Sequence, residues 1–411
     1  MRLAFISTRL AGTDGVSLET AKLAVVLAGL GHECFYCAGE LDQHLPGQEI
    51  PEMHFQHPNA VALGRRAFGT DAPDPTLATD LAAAATTLKP LIRHFLQNYQ
   101  IDYVIVQNAF AIPMQLPLAQ ALSELMVELG LPGLAHNHDF YWERERFRIN
   151  CIPDFLGRNF PPDLPGLQHA VINSLAQEAL HARRGLESIL IPNVFDFATP
   201  PPGIDDYNAD FRRVIGLRED HRLILQPTRV VPRKGIELAI ELVARLADPR
   251  AVLVIPHYAG DEGLDYLHRL QALAEQKGVD MRYVAGRVDD RRGRTAAGEK
   301  VYSLWDVYPH ADMVTYPSLV EGFGNALLEA VYFRRPVFIN RYAVYAADIA
   351  PLGFQFAEID GEVTDESVQQ VRRWLDEPAT WQPMTGHNYT LAQQHFSYQA
   401  LTNKLEQILP V

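Results

Sequence analysis

Two carboxylates, three cations and a pair of histidines stand in patterns that chemistry could use. The first pattern is Pro317-Ser318-Leu319-Val320-Glu321-Gly322-Phe323-Gly324-Asn325-Ala326-Leu327-Leu328-Glu329-Ala330. The apolar run Ala311 to Tyr316 ahead of it reads as a buried strand, and Ala326 to Tyr332 behind it as the first turns of a helix capped by Asn325. Glycines at the join let the backbone approach a ligand and aim its N–H groups at an anion. Glu329, about one turn past the cap, faces the same side, and Glu321 sits on the loop itself. Carboxylates accept hydrogen bonds from hydroxyls, so the arrangement suits a ligand that joins phosphates to sugars. The plainer alternative is a strand, a tight turn and a helix whose glutamates are merely solvated.

The second pattern is Pro227-Thr228-Arg229-Val230-Val231-Pro232-Arg233-Lys234-Gly235, between the strand Leu223 to Gln226 and a helix from Ile236 to Leu246. Its cations sit where a helix start already favours anions. A solvated basic loop is the alternative. The third is Leu134-Ala135-His136-Asn137-His138-Asp139-Phe140-Tyr141-Trp142-Glu143-Arg144-Glu145-Arg146-Phe147 at another strand end. His-x-His alone supplies too few ligands for a metal site. Arg144 and Arg146 suit a carboxylate or phosphate on a ligand, unless they form surface salt bridges with Glu143 and Glu145.

The first pattern resembles the Glu-x7-Glu signature of glycosyltransferase family 4, down to the Pro-Ser before it and the Glu-Ala that closes it. The resemblance implies that Glu321, with the backbone of Phe323, Gly324, Asn325 and Ala326, holds the donor sugar, and that Glu329 holds the ribose. Arg229 and Lys234 match the family's diphosphate-binding pair, with Arg233 the nearby alternative. The Gly286-Arg287-Val288 segment is similar to the one that lies against the nucleotide base. The family also carries an N-terminal glycine loop near the donor diphosphate, for which Gly15 is the match. His138, followed by Asp-Phe, corresponds to the histidine beside donor sugar and acceptor; His136 remains the alternative. Asn108, His136 and Arg144 are the acceptor-side candidates.

These residues need elements to position them. Strand, loop and helix recur from Leu3 through Leu30, around Tyr103 to Val106, and again from Leu223, which implies parallel sheets in an α/β fold. By resemblance this is the GT-B architecture, two facing Rossmann-like domains with a C-terminal helix crossing back. The Pro- and Asp-rich run 200–206 reads as a linker. The expected division is an acceptor-binding domain 1–197, a nucleotide-sugar-binding domain 198–386, and a final segment 387–411 packing back toward the first. Residues 42–76 read as an irregular excursion, 289–300 as a charged loop, and Asn388 to Leu409 as one helix.

The chain has 411 residues, enough for two domains, with 36 Lys+Arg against 50 Asp+Glu. That balance of −14 argues against a broad nucleic-acid surface. No stretch approaches the roughly 20 apolar residues a spanning helix needs. The N-terminus runs straight into a strand without a signal-peptide profile. Cys34 and Cys37 fall on one strand, on opposite faces, and three cysteines make no disulfide framework, so the cytoplasm is the expected compartment. The function implied is retaining transfer of a hexose from a nucleotide-diphosphate sugar to a hydroxyl of a small polar acceptor. No cofactor or metal is expected, since no Asp-x-Asp motif stands where one is needed. Peripheral membrane contact stays open. A nucleotide-sugar binding protein without transfer, or an epimerase of similar fold, is the competing reading.

Overall fold

The computed structural model describes residues 1–12, 14–259 and 263–409. Thr13, in the first glycine loop, lies outside the described residues. The chain divides into two compact units, Met1–Asn193 with Leu401–Val411, and Val194–Ala400.

The first unit is built on β1 (Arg2–Ser7), β2 (Glu33–Ala38), β3 (Gly47–Glu49), β4 (Tyr103–Gln107), β5 (Gly133–Asn137), β6 (Leu167–Val171) and β7 (Ile189–Leu190). Their order is β3-β2-β1-β4-β5-β6-β7, and every pairing is parallel. A sheet covered on both faces needs apolar residues at every position, which is why β4 reads Tyr-Val-Ile-Val-Gln and is buried throughout. Helices Leu77–Asn98 and Leu116–Leu129 supply much of one core layer through Leu81, Ala85, Ile92, Leu118 and Leu122.

The second unit contains β8 (Arg222–Leu225), β9 (Ala251–Ile255), β10 (Asp280–Tyr283), β11 (Val288–Asp289), β12 (Gly293–Arg294), β13 (Lys300–Ser303), β14 (Met313–Tyr316), β15 (Val337–Asn340) and β16 (Ala357–Ile359). Six of them form a parallel sheet in the order β10-β9-β8-β14-β15-β16. Counted from the first strand of each unit, both sheets carry the doubly wound order 3-2-1-4-5-6. Strand order reverses beside β1 and beside β8, and ligands of open α/β sheets bind at the carboxyl ends of such strands. Helix Ile236–Leu246 packs on this sheet through Ile236, Ala239, Ile240, Val243 and Leu246, a face repeating every three to four residues.

Four expectations change. The stretch 42–76 contains β3 and the helix Pro58–Ala67, which starts on a proline and buries Ala60, Leu63 and Ala67. Its proline and glycine content hid that 3–4 spacing. The charged stretch 289–300 is not a loose loop: β11, β13 and β12 pair into a small sheet. Arg292, just ahead of β12, bonds Asp306 and Asp205, and Tyr207 Oη donates to Gly293 O and Val301 O. The proline-rich run is thereby tied into the second unit, and Tyr389 Oη grips Phe197 O just ahead of it. It is an anchored segment rather than a free linker. Finally, the C-terminal helix is two helices, Gln382–Phe396 and Tyr398–Ile408. Ser397 between them is extended (φ −91°, ψ 167°) and its Oγ accepts from Ala400 N at 3.1 Å, the bond of a helix cap. Periodicity runs through this break because a single capping residue does not disturb the apolar pattern.

Beyond it, Lys404 Nζ donates to Leu190 O at 2.6 Å within the first unit. Among the described residues no helix is long and apolar enough to cross a membrane. Ser397→Ala removes the cap and is expected to lower stability by about 1 kcal/mol, read as a lower urea midpoint than that of the unaltered chain; an unchanged midpoint rules the cap out as a stabilising element.

Candidate active site

Two clusters form, each at the carboxyl edge of one sheet. In the second unit the loops after β8 and β14 are stitched together. Leu319 N donates to Arg233 O at 2.8 Å, and Arg233 Nη1 reaches Val320 O at 3.2 Å. Gly235 stands at φ +58°, where a Cβ would lie 2.4 Å from Pro317 O, so only glycine lets the loops approach this closely. Across this seam Lys234 Nζ bonds Glu321 Oε1, and Arg233 Nη1 bonds Glu321 Oε2 at 3.0 Å. The side chains of Lys234 and Glu321 are only 10% and 8% exposed.

Burial alone pushes the Glu321 carboxyl up, but Lys234, Arg233 and the hydrogen bonds to it outweigh this and hold it below the usual carboxylate range. Burial pulls the Lys234 ammonium down, opposed by Glu321, while Arg233 and Arg229 press in the same direction as burial. Arg229 is exposed, and its charge is thus felt at Lys234. Two cations therefore hold the carboxylate, and a third, Arg229, acts on Lys234. An anion entering beside Arg229 and Arg233 would relieve their mutual repulsion.

The helix Asn325–Tyr332 follows the seam. Its cap is Gly324 rather than Asn325, which is the first helical residue. The reason is steric: Gly324 adopts φ +134°, and a Cβ there would lie 2.7 Å from Tyr342 Oη. Three buried tyrosines brace the motif from behind. Tyr342 Oη donates to Phe323 O at 2.6 Å, Tyr308 Oη donates to Glu329 Oε2 at 3.0 Å, and the Tyr316 phenol lies against Glu321. Burial, with these carboxylates nearby, raises the Tyr308 and Tyr316 phenols far above their ordinary value, so both stay neutral donors. Phe323 itself is a core residue, edge-on to Phe396 at 5.2 Å. Gly286 lies in the turn Ala285–Arg287 after β10, with open space where a Cβ would be, and Val288 begins β11.

In the first unit, β4 and β5 pair so that Gln107 faces His136. His136 Nδ1 and His138 Nε2 each lie 3.1 Å from Gln107 Oε1. Burial lowers His138 to about 4 and His136 well below its usual range, so both rings are neutral at pH 7. Asn108, in the left-handed region at φ +60°, accepts from His138 N at 3.0 Å and donates to Asp139 at 2.9 Å. Both ends of its amide thus shape the His138–Asp139 turn. Arg144 Nε bonds Asp139 Oδ2 at 2.6 Å, not Glu143 or Glu145, and Glu143 instead accepts from Phe140 N. The segment is two short turns, Tyr141–Glu143 and Glu145–Phe147, rather than a surface helix. Gly15 opens the helix Gly15–Gly29, capped by Asp14, with nothing near its Cβ position.

Glu321, Lys234, Arg229, Phe323, Gly324 and Glu329 are thus brought to one edge of the second unit, and His136, His138, Asn108 and Arg144 to one edge of the first. Sequence reasoning missed the tyrosine braces. A tyrosine closing an apolar strand, as Tyr316 does, was the available signal, since a buried phenol needs a partner.

Known proteins share this build. The family model described as glycosyl transferases group 1 matches residues 208–384. The mannosylglucosylglycerate synthase of Petrotoga mobilis is 33% identical over 389 residues, covering 89% of this chain and 88% of that protein. Its Thermotoga maritima counterpart is 30% identical over 451 residues and covers 100% of both. The chain belongs to the group 1 glycosyltransferases. It is a nucleotide-sugar-dependent glycosyltransferase of the family 4 type. A crystal structure of Anabaena Alr3699/HepE in complex with UDP and glucose matches this glycosyltransferase with a TM-score of 0.68 over 99% of both chains at 14% identity, a likeness of the GT-B fold.

Glu321→Gln in this glycosyltransferase leaves Lys234 and Arg233 without their counter-charge. The expected loss is about 3 kcal/mol at pH 7. A carboxyl depressed in the folded state contributes fully above the ordinary range, near about pH 4.3, and loses that contribution as pH falls through its folded value. Urea unfolding should therefore show the gap between variant and unaltered protein closing below about pH 4; a gap that widens in acid would contradict the ion pair.

Proposed function

We propose that this glycosyltransferase moves a mannosyl group from a nucleotide-diphosphate mannose to a small acceptor bearing a carboxylate, with mannosylglucosylglycerate as the product. The observation that carries the reading is the loop seam that holds Lys234 and Arg233 on Glu321, with the Arg229 charge felt at Lys234. Two relatives that share most or all of the chain carry the name of this product, and this supports the choice of sugar and acceptor.

As the anomeric carbon parts from the diphosphate, negative charge grows on the leaving phosphate. Arg229 and Lys234 are poised to stabilise it, as preorganised charges do at a transition state, and they take the place a metal ion would otherwise fill. Glu321 orients the sugar and eases positive charge at the ring. Backbone groups of Phe323, Gly324, Asn325 and Ala326 hold the sugar, Glu329 the ribose hydroxyls, and the Gly286 to Val288 backbone the base. The acceptor hydroxyl attacks from the face that the phosphate leaves. The bond from carbon to phosphate oxygen breaks, the bond to acceptor oxygen forms, and the acceptor's proton passes to the departing phosphate, so configuration is retained.

On the first unit, His138 is the histidine that serves the transfer. Arg146, which covers the Phe147 ring at 4.5 Å and is not consumed by a carboxylate, suits the acceptor's anionic group better than the paired Arg144. A nucleotide-sugar substrate and three cysteines free of disulfides favour a cytoplasmic setting.

The test is incubation of the purified chain with glucosylglycerate and a nucleotide-diphosphate mannose of each base, with and without EDTA. Mass spectrometry should show one added hexose, and NMR the anomeric configuration of the donor. Inversion rejects the front-face route, loss of activity in EDTA rejects metal independence, and transfer only to unrelated acceptors rejects the product. Arg229→Ala is expected to cut kcat by roughly 10²-fold or more with an unchanged unfolding midpoint, because the side chain is exposed; wild-type kcat removes it from the reaction.

A further inference from the structure

We propose that Gln107 is a positioning residue that fixes His138 as the Nε2–H tautomer, leaving its Nδ1 lone pair to receive a ligand hydroxyl. The proposal rests on the reading that His138 serves the transfer.

Gln107 ends β4 and is fully buried, with its backbone carbonyl bonded by Ser7 Oγ at 2.9 Å. Parallel pairing sets it beside His136 of β5. His138, beyond the end of β5, is brought alongside by the Asn108 grip on its backbone N–H. Both imidazoles converge on the single atom Gln107 Oε1, each at 3.1 Å, with ring centroids 4.6 Å apart. An amide oxygen can only accept, so each ring must place its proton on the nitrogen facing it. That gives His136 as Nδ1–H and His138 as Nε2–H. Among the described residues, Gln107 Nε2 has no hydrogen-bond partner despite its burial. Turning the amide over would present its nitrogen to both rings, reverse both tautomers and make His138 an N–H donor.

The charge around this trio is small. The two histidines face one another, and Asp139, next in the chain, is paired with Arg144. A fixed neutral imidazole with an unprotonated Nδ1 accepts a hydrogen bond from a hydroxyl, whereas an imidazolium or the other tautomer would present a donor there.

Long-range ¹⁵N–¹H NMR of the histidine rings in the full chain tests this, with His138→Ala assigning the signal. The unaltered protein should show His138 as Nε2–H alone, and Gln107→Leu a mixture of both tautomers. Turnover of Gln107→Leu should fall about tenfold, while in a His138→Ala background the same change should add nothing. Finding Nδ1–H in the unaltered protein overturns the assignment. So does an unchanged His138 signal in Gln107→Leu, or an additional turnover loss in the double variant. Gln107→Glu, of the same shape, guards against misfolding: its carboxylate should raise the His138 titration midpoint from about 4 by at least one unit, and an unmoved midpoint counts against the proposal. Should His138→Ala turn over at the wild-type rate, the role of His138 fails, while the tautomer signals still decide Gln107.

Discussion

The contact between Lys234 and Glu321 organises the second unit. Two charges taken out of water are costly unless each meets a partner in good geometry. Here the partners come from loops nearly ninety residues apart in the chain, brought together because β8 and β14 are neighbours. Once the pair exists, the rest of the local geometry is constrained. Gly235 must lack a side chain, Leu319 N must find Arg233 O, and the glycine turn into Asn325–Tyr332 must adopt its positive φ.

The same physical problem recurs wherever these parallel strands end. At their carboxyl edges the backbone leaves the sheet and polar side chains remain in a low-dielectric setting. Several are answered by hydrogen bonds. Thr315 bonds Gln226 at 2.7 Å, Asn340 bonds Ser318 O at 3.0 Å, and the tyrosine hydroxyls meet Phe323 and Glu329. In the first unit the Gln107 amide answers two histidines at once. These buried polar contacts set the orientation of groups that must meet a ligand, and the apolar layers behind them, such as Ile236, Ile240 and Leu253, supply the stability.

That division of labour explains how a widespread fold carries a specific transfer. In the proposed function, the diphosphate needs only cations and amides at a strand switch point. Acceptor choice, in the same proposal, falls to side chains such as Arg144 and Arg146, held on short turns rather than on regular elements.

The amino-acid sequence by itself determined the alternation of strand, loop and helix, the parallel sheets, and the residues of the Glu-x7-Glu motif and its basic loop. These are legible because apolar runs and glycine positions are local properties of the chain. It misjudged the cap at Asn325, the single helix through Ser397 and the loose loop at 289–300. In two of these the outcome depends on a partner elsewhere in the chain, the Tyr342 hydroxyl against Gly324 and Asp306 and Asp205 awaiting Arg292, and in the third a single capping serine breaks the helix without disturbing the apolar pattern. Only the tertiary structure decided which cation grips Glu321, which carboxylate Arg144 chooses and which amide the two histidines share. Spacing along the chain reports the direction of a side chain, whereas the atom it meets is set by which strands become neighbours.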